Sequence, residues 1–316
     1  MLHLNRVTRM PVVVPRLDTV RRLPFLRESG DGRRTSIMLR SNWFRILGFY
    51  PAVLASGCGD LLPPPPAPLF AVPLEIEGRP VGDAIIDTGG GFEILLRDEF
   101  GLKVVDSVDV LVFGGRESVA LTEGFSFSAG GFHGFADGAI VGISSCDCNG
   151  VGIVFFRKTG LVAAIAFSEP AASFTTSAPP GGIDLPFRAP PAYLEGFSSA
   201  FIDVDVDLGG TTLTVRALLD TGAAETLLKR NMFDGAPDPL FGRTRLEVTH
   251  DRLGTVSVSA AFFDNDDLPD LILGIDMMRA WGDRWYFHYT PNGGIVTVFP
   301  YPDPTMIDES IRIKGQ

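Results

Sequence analysis

The sequence predicts a mainly β fold built from two tandem copies of one unit. Stretches of alternating apolar and polar residues are separated by glycine and proline turns, whereas helical periodicity is scarce. One motif also occurs twice, as AIIDTGGGFEILL over 84–96 and as ALLDTGAAETLL over 217–228. Apolar residues make up 45% of the 316 residues, which is enough for a sizeable core.

A predicted β-hairpin with a glycine-containing turn precedes each copy of the motif. These hairpins cover residues 72–86 and 201–219, and the second alternates apolar residues with acidic ones. Tandem duplication is the simplest account of the matched flanks. Each half then places one carboxylate, Asp87 or Asp220, at the end of an apolar strand.

Two aliphatic residues and a glycine follow each motif at nearly equal intervals. The first set ends at Gly142, 55 residues after Asp87, and the second ends at Gly274, 54 residues after Asp220. These intervals predict that the two glycines are equivalent. After Gly274 the pattern predicts a short helix over 275–281, then strands over 285–289 and 294–300.

Asp-Thr-Gly by itself is typical of an ordinary turn, because Asp and Thr bind local backbone and Gly accepts positive φ. Two copies with matched flanks favour a paired site instead. An apolar strand carries its carboxylate into a low-dielectric place, and glycine lets a second backbone approach closely. Two facing carboxylates share one proton, so one can act as a base and the other as an acid. Such a pair can activate water against an amide carbonyl and protonate the leaving nitrogen.

With these motifs the sequence resembles aspartic proteases of the pepsin and retropepsin type, over roughly residues 70–300. The second half, with DTGAAETLL and PDLILGIDMM, is closest to the retropepsin pattern. The resemblance implies two tandem retropepsin-like β-barrel lobes related by a pseudo-twofold axis. We place the lobes at 70–172 and 197–302, joined by a linker over 173–196 that is rich in Pro, Gly and Ala.

The resemblance also implies a role for each motif residue. Asp87 and Asp220 correspond to the catalytic dyad. The remaining positions support it: Thr88 and Thr221 lock the two loops together, Gly89 and Gly222 permit their close approach, and Gly142 and Gly274 pack beneath them.

Two departures from the pepsin pattern affect these expectations. Pepsin-type enzymes usually carry Ser or Thr directly after Asp-Thr-Gly, where its hydroxyl favours ionisation, but here the residues are Gly90 and Ala223. We therefore expect a pH optimum less acidic than that of pepsin-like enzymes. No tyrosine lies between Asp87 and Gly142, so the flap candidate is the hairpin over 111–118, LVFGGRES, with Gly114 and Gly115 at its turn. A plain hairpin turn is the alternative interpretation.

The amino-terminal part predicts export and lipid anchoring. Residues 1–37 are basic and irregular, and we expect them to be either untranslated or disordered, with Met1 and Met38 both open as starts. Residues 38–57 have the order of a signal peptide: arginines, an apolar run too short to span a bilayer, then LASGC. This ending resembles a bacterial lipobox, which implies lipidation of Cys58 and a location in the periplasm or at the cell surface. Residues 58–69 are a proline-rich tether, and the tail over 303–316 carries no recognisable chemistry.

Charge and cysteine content narrow the possible partners. Without residues 1–57 the chain has 17 basic and 35 acidic residues, a net charge of −18, which argues against nucleic acid. We expect no cofactor and no metal, since His133 is the one histidine near Cys146 and Cys148 in sequence. These two cysteines are either a local disulfide or two free thiols.

Together the motifs predict an exported, monomeric aspartic endopeptidase acting on peptide or protein substrates, with membrane contact only through its lipid anchor. Two alternatives remain open. One is a catalytically inactive, peptide-binding lipoprotein with the same fold. The other is a homodimeric protease that uses only the lobe of Asp220.

Overall fold

Twenty strands and two short α-helices make up the regular secondary structure of the described residues, which confirms the mainly β class. The computed structural model describes residues 69–112, 115–143, 146–194, 199–232, 243–291 and 293–301. The predicted extension, signal peptide, Cys58, the tether up to residue 68 and the tail over 303–316 lie outside these ranges. All the described residues belong to one compact unit.

Nine strands from the first motif and its surroundings form one sheet. They are β1 Ala71–Ile76, β2 Arg79–Ile86, β3 Ile94–Leu96, β4 Val104–Val112, β5 Gly115–Thr122, β6 Phe125–Ala129, β7 Phe132–Ala136, β8 Ile140–Val141 and β9 Asn149–Val151. The strand order is β4-β5-β8-β3-β9-β2-β1-β6-β7. The pairs β2–β9 and β3–β8 are parallel, and the other pairs are antiparallel.

A helix and three strands connect this sheet to the second motif. They are α1 Ile153–Thr159, β10 Val162–Ala166, β11 Ala171–Thr175 and β12 Ile183–Pro186, followed by a 3-10 turn over Ala192–Leu194. The segment predicted as a linker, 173–196, thus includes β12 and the end of β11.

Six strands around the second motif close into a barrel. They are β13 Phe201–Leu208, β14 Thr211–Leu219, β15 Leu227–Lys229, β16 Arg243–His250, β17 Gly254–Phe263 and β18 Leu271–Leu273, and the closed order is β13-β14-β18-β15-β17-β16. The chain continues through α2 Ile275–Trp281, β19 Arg284–Thr290 and β20 Gly293–Phe299, close to the predicted bounds.

A third sheet combines strands from both sides of the barrel sequence, in the order β11-β10-β19-β20-β12. Strand β19 alternates strictly, so that Trp285, Phe287 and Tyr289 are buried on one face. The rings of Phe155 and Phe156 from α1 belong to the same hydrophobic cluster, which also extends into the barrel. The third sheet therefore shares one core with the first sheet and the barrel.

Both predicted motif hairpins are present. The β1–β2 turn places Glu77 and Gly78 at φ values of 50° and 71°, and the β13–β14 turn places Gly209 and Gly210 at 64° and 91°. Positive φ at both turn positions matches the right-handed twist of the paired strands, and glycine, which adopts it without strain, occupies three of the four positions.

The two halves repeat one strand plan around their motifs. The strand before each motif has a parallel neighbour, β9 beside β2 and β18 beside β14. The strand after each motif has another, β8 beside β3 and β17 beside β15. A seven-residue helix follows β9 and another follows β18. This repetition extends the sequence duplication to the arrangement of strands.

Candidate active site

Asp87 and Asp220 each emerge directly from a buried strand end. Strands β2 and β14 stop one residue before them, and the last side chain of each strand is fully buried. The parallel neighbouring strands hold the chain where it leaves β2 and β14. The Asp87 N–H donates to the Val151 carbonyl and the Asp220 N–H donates to the Leu273 carbonyl, each at 3.0 Å. The two aspartates therefore occupy equivalent places in the two halves.

Thr88 and Thr221 connect the two motif loops directly. The backbone N–H of each donates to the hydroxyl oxygen of the other, and both distances are 3.0 Å. The Thr88 hydroxyl donates to the Leu219 carbonyl at 3.0 Å, and the Thr221 hydroxyl donates to the Ile86 carbonyl at 2.5 Å. Both side chains are fully buried. Each loop is thus held by the strand end of the opposite half.

The motif glycines let the aspartates approach across this junction. A Cβ built on Gly89 would lie 2.5 Å from the carboxyl carbon of Asp220, and one on Gly222 would lie 2.9 Å from that of Asp87. Each glycine therefore lies against the carboxyl group of the other half. A side chain at either position would occupy the space of a carboxyl group.

Backbone N–H groups surround the two carboxyl groups unequally. Oδ1 of Asp87 accepts from the N–H groups of Gly89 at 3.0 Å and Gly90 at 2.7 Å. Oδ1 of Asp220 accepts from the Gly222 N–H at 2.8 Å. Asp87 is partly buried, while Asp220 is only 8% exposed. Asp87 therefore has more N–H donors and more contact with solvent than Asp220, and both differences favour the negative charge on Asp87.

Burial and mutual contact set the protonation of the pair. Burial raises the pKa of Asp87, although the hydrogen bond with Asp220 and the N–H groups of Gly90 and Gly89 oppose this shift. The pKa of Asp220 is raised well above its usual value, first by burial and then by the charge of Asp87. The two carboxyl groups face the same point, because a Cβ on Gly222 would lie 2.9 Å from Oδ1 of Asp87 and 3.1 Å from Oδ1 of Asp220. One proton shared by the pair, held mainly on Asp220, is the state this geometry favours.

A glycine packs beneath each of these loops. In the second half it is Gly274, where a Cβ would lie 2.4 Å from the carbonyl oxygen of Glu225. In the first half it is Gly152, where a Cβ would lie 2.4 Å from the carbonyl oxygen of Phe92. Each glycine is the N-cap of the following helix, and the first helical N–H donates to a loop carbonyl at 2.9 Å in both halves.

Gly142 does not occupy the packing position that the matched intervals assigned to it. It is exposed, its φ is 75°, and a Cβ there would meet no atom within 4 Å. It follows β8, which pairs with β3, whereas the strand beside β2 is β9. The prediction for Gly142 is therefore wrong, and Gly152 takes that position. A Gly-Ile pair before a short apolar segment, common to 152–153 and 274–275, is the sequence signal that could have identified it.

The absence of a hydroxyl residue after the first Asp-Thr-Gly has a steric reason. A Cβ on Gly90 would lie 2.6 Å from Oδ2 of Asp87 and 2.4 Å from the ring of Phe92. Phe92 thus fills the space that a side chain at position 90 would need. The residue of the second motif that corresponds to Phe92 is Glu225, and it forms an ion pair with Arg243. The two loops therefore have different surroundings.

Tyr289 also contacts the site, although the sequence did not predict this. Its hydroxyl donates to the Thr88 carbonyl at 3.1 Å, and the residue is 2% exposed. It reaches the first motif loop from β19, 201 residues along the chain. No sequence pattern indicates this contact, because an aromatic residue in an alternating strand is typical of a core position.

The flap candidate forms a hairpin, with Val112 of β4 paired to Gly115 of β5 at its end. Gly114 lies outside the described residues. On β5, Nε of Arg116 lies 3.6 Å from the carboxylate of Asp267, which lies between β17 and β18, and both side chains are largely exposed. The hairpin therefore contacts the segment that leads into β18.

Several smaller expectations concern the rest of the chain. Cys146 and Cys148 form a disulfide with a Cα–Cα distance of 5.2 Å, which decides between the two alternatives. Within the described ranges, no three His, Cys, Asp or Glu side chains are grouped as they would be around a metal ion. In the same ranges, no helix has the length and apolar character needed to cross a membrane.

A cavity of about 260 Å³ lies away from the dyad, between β12 and the outside of the barrel. It is bounded by Leu185, Asp203, His250 and Arg252, among others. Its wall includes Asp203 with both oxygens engaged, one by Arg188 at 3.2 Å and the other by Arg216 at 2.9 Å. No residue of the two Asp-Thr-Gly loops lines this cavity. The two carboxyl groups are therefore the candidate site.

Comparison with known proteins adds no assignment. No protein-family model matches the chain, and a search of curated proteins found no significant match. The sequence motifs and the geometry of the site are therefore the observations that bear on function.

Proposed function

We propose that this protein is an aspartic endopeptidase whose dyad is Asp87 and Asp220. The observation that supports this most directly is the contact of two carboxyl groups from equivalent strand ends, joined by the reciprocal bonds of Thr88 and Thr221. Burial of both groups favours a singly protonated pair, which supplies a base and an acid at one point.

The unequal donors suggest how the two aspartates divide the reaction. As a water oxygen bonds to the peptide carbonyl carbon, Asp87 takes a proton from the water and Asp220 gives its proton to the carbonyl oxygen. Asp87 then gives its proton to the leaving nitrogen, Asp220 recovers a proton from one hydroxyl, and the C–N bond breaks. The starting protonation of the pair is restored.

We also propose that the fold is the two-lobed, pseudo-symmetric arrangement of the pepsin family. The repeated strand plan, the equivalent helices after Gly152 and Gly274, and the third sheet shared by both parts of the chain support it. The contact of Asp87 with Asp220 within one chain supports a monomeric enzyme over a homodimer that pairs two copies of Asp220.

Cleavage of a diverse peptide mixture by the purified full chain, scanned from acid to neutral pH, tests the activity. Asp87→Asn and Asp220→Asn should each lower the rate at least about a thousand-fold. The matched control is Asp83→Asn, at an exposed position on β2, the strand that ends just before Asp87, and this variant should cleave normally. A folded wild-type protein that binds peptides but cleaves none at any pH would favour the inactive, peptide-binding alternative.

Export and lipid anchoring remain proposals that depend on the sequence before residue 69. Labelling cells with a fatty-acid analogue, with Cys58→Ser as the control, tests them directly. Label on the wild type alone, in the membrane fraction, is the expected result. Equal labelling of both chains would exclude Cys58 as the lipidated residue.

A further inference from the structure

The ring of Tyr289 packs against two other aromatic rings, which hold its position. It lies on β19, nearly stacked with Phe156 at 6.1 Å between ring centroids and tilted against Phe187 at 5.1 Å. With 2% of the residue exposed, the hydroxyl has little access to water. Its 3.1 Å bond to the Thr88 carbonyl is thus made by a side chain held in one orientation.

The peptide that receives this bond also contacts the dyad through its other end. The Thr88 carbonyl and the Gly89 N–H belong to the same peptide group, and that N–H donates to Oδ1 of Asp87 at 3.0 Å. The Gly89 backbone also lies against the carboxyl group of Asp220. A peptide that accepts a hydrogen bond on its oxygen becomes a stronger donor through its N–H, because the two bonds polarise the group in the same direction.

We propose that Tyr289 is a positioning residue that acts through the Thr88–Gly89 peptide to stabilise the singly ionised dyad. This inference depends on the proposed function. Tyr289 has no role in the four proton transfers above, and its effect is to orient one N–H donor and strengthen it. The 3.1 Å and 3.0 Å bonds at the two ends of one peptide are the evidence for it.

The charged groups that act on Tyr289 are Asp87, Asp220 and Arg157. Burial raises the pKa of Tyr289 well above its usual value, and the two aspartates add to this rise, while the positive charge of Arg157 opposes it. The phenol therefore stays protonated over the whole range in which carboxyl groups titrate. Tyr289 is a constant donor, so the titrating groups in this system are the two aspartates.

The test is a titration of the aspartate carboxyl carbons by ¹³C NMR in the full chain, with Asp87→Asn and Asp220→Asn used for assignment. In Tyr289→Phe the lower apparent pKa of the dyad should rise by about half a unit, because Gly89 becomes a weaker donor to the carboxylate. Tyr286→Phe is the matched control, since it removes the same hydroxyl from the same strand but from the opposite face. An unchanged dyad pKa in folded Tyr289→Phe would overturn the proposal.

A second variant covers the case in which Tyr289→Phe does not fold. Incorporation of 3-fluorotyrosine at position 289 keeps the ring and makes the hydroxyl a stronger donor, so the lower dyad pKa should fall by about 0.2 units. A shift in the opposite direction, or none, would also overturn the inference. Because this readout needs no turnover, a protein that cleaves nothing but shows these shifts would refute the protease function and leave the role of Tyr289 intact.

Discussion

Thr88 and Thr221 exchange hydrogen bonds across the junction of the two halves, each backbone N–H donating to the other hydroxyl at 3.0 Å. The same hydroxyls donate to the carbonyls at the ends of β14 and β2. Four buried hydrogen bonds are thus centred on two side chains. The position of one aspartate consequently depends on the backbone of the half that carries the other.

Thr88→Ala should therefore destabilise the protein by about 2–4 kcal/mol, because it leaves the Thr221 N–H and the Leu219 carbonyl buried without partners. Thr88→Ser keeps the hydroxyl and should cost about 1 kcal/mol or less, the value of one buried methyl group. Thr221→Ala should match Thr88→Ala. Urea unfolding measures all three, and equal stability of the Ala and Ser variants would show that the hydroxyl bonds contribute little.

Gly152 and Gly142 provide a direct test of which glycine supports the first loop. Gly152→Ala would place a Cβ 2.4 Å from the Phe92 carbonyl oxygen and 2.7 Å from that of Gly90. Since both contacts are with backbone, we expect the free energy of unfolding to fall by about 3 kcal/mol or more, and we expect reduced cleavage. Gly142→Ala meets no atom and should cost only about 1 kcal/mol, through its positive φ. The reverse order in thermal unfolding would contradict our assignment.

The elements that could be predicted from sequence are those defined by local patterns. Both motif hairpins, the helix that ends at Trp281 and the strands after it follow from alternation, glycine turns and periodicity within short windows. Gly152 was missed because Ile140-Val141-Gly142 resembles its counterpart near Gly274 more closely than Asn149–Gly152 does. The strand that pairs with β2 is decided by sheet closure, and local similarity contains no information about that choice.

Tyr289 and the barrel order were unpredictable for a related reason. The bond of Tyr289 to Thr88 spans 201 residues, and nothing near either residue indicates the partner. The Asp-Thr-Gly loops were predictable because their chemistry requires specific residue types at fixed local spacing. The groups that hydrogen-bond to these loops from elsewhere in the chain reach them only through the tertiary fold. Any buried polar atom in the correct place can form such a bond, whatever its position in the sequence.

Asp220 should make stability depend on pH in a characteristic direction. Its pKa is raised in the folded state by burial and by Asp87, so the folded chain binds its proton more tightly than the unfolded chain, where the pKa is near 3.8. The free energy of unfolding therefore falls as pH rises above 3.8 towards the folded-state pKa. Asp220→Asn removes this penalty and should raise the melting temperature at pH 7 while changing it little near pH 3.

The control for this experiment is Asp83→Asn, at an exposed position on β2. Because the Asp83 side chain is exposed, the melting temperature of this variant at pH 7 should differ little from wild type. A melting temperature of Asp220→Asn that falls below wild type at pH 7 would mean that the ionised carboxylate stabilises the fold. That result would contradict the direction derived from burial.

The pH dependence of kcat/KM should be a bell with both limbs above the ordinary range of aspartate. The acid limb reports the first ionisation of the dyad, mainly of Asp87, and burial raises its pKa. The alkaline limb reports loss of the remaining proton, held mainly on Asp220, whose pKa is raised further by burial and by the charge of Asp87.

Gly90 and Ala223 supply no hydroxyl to favour ionisation, so we expect substantial activity from mildly acid towards neutral pH. Initial rates on one fluorogenic peptide selected from the mixture would give both limbs. Activity confined below about pH 3 would show that other donors stabilise the carboxylates more strongly than burial opposes them.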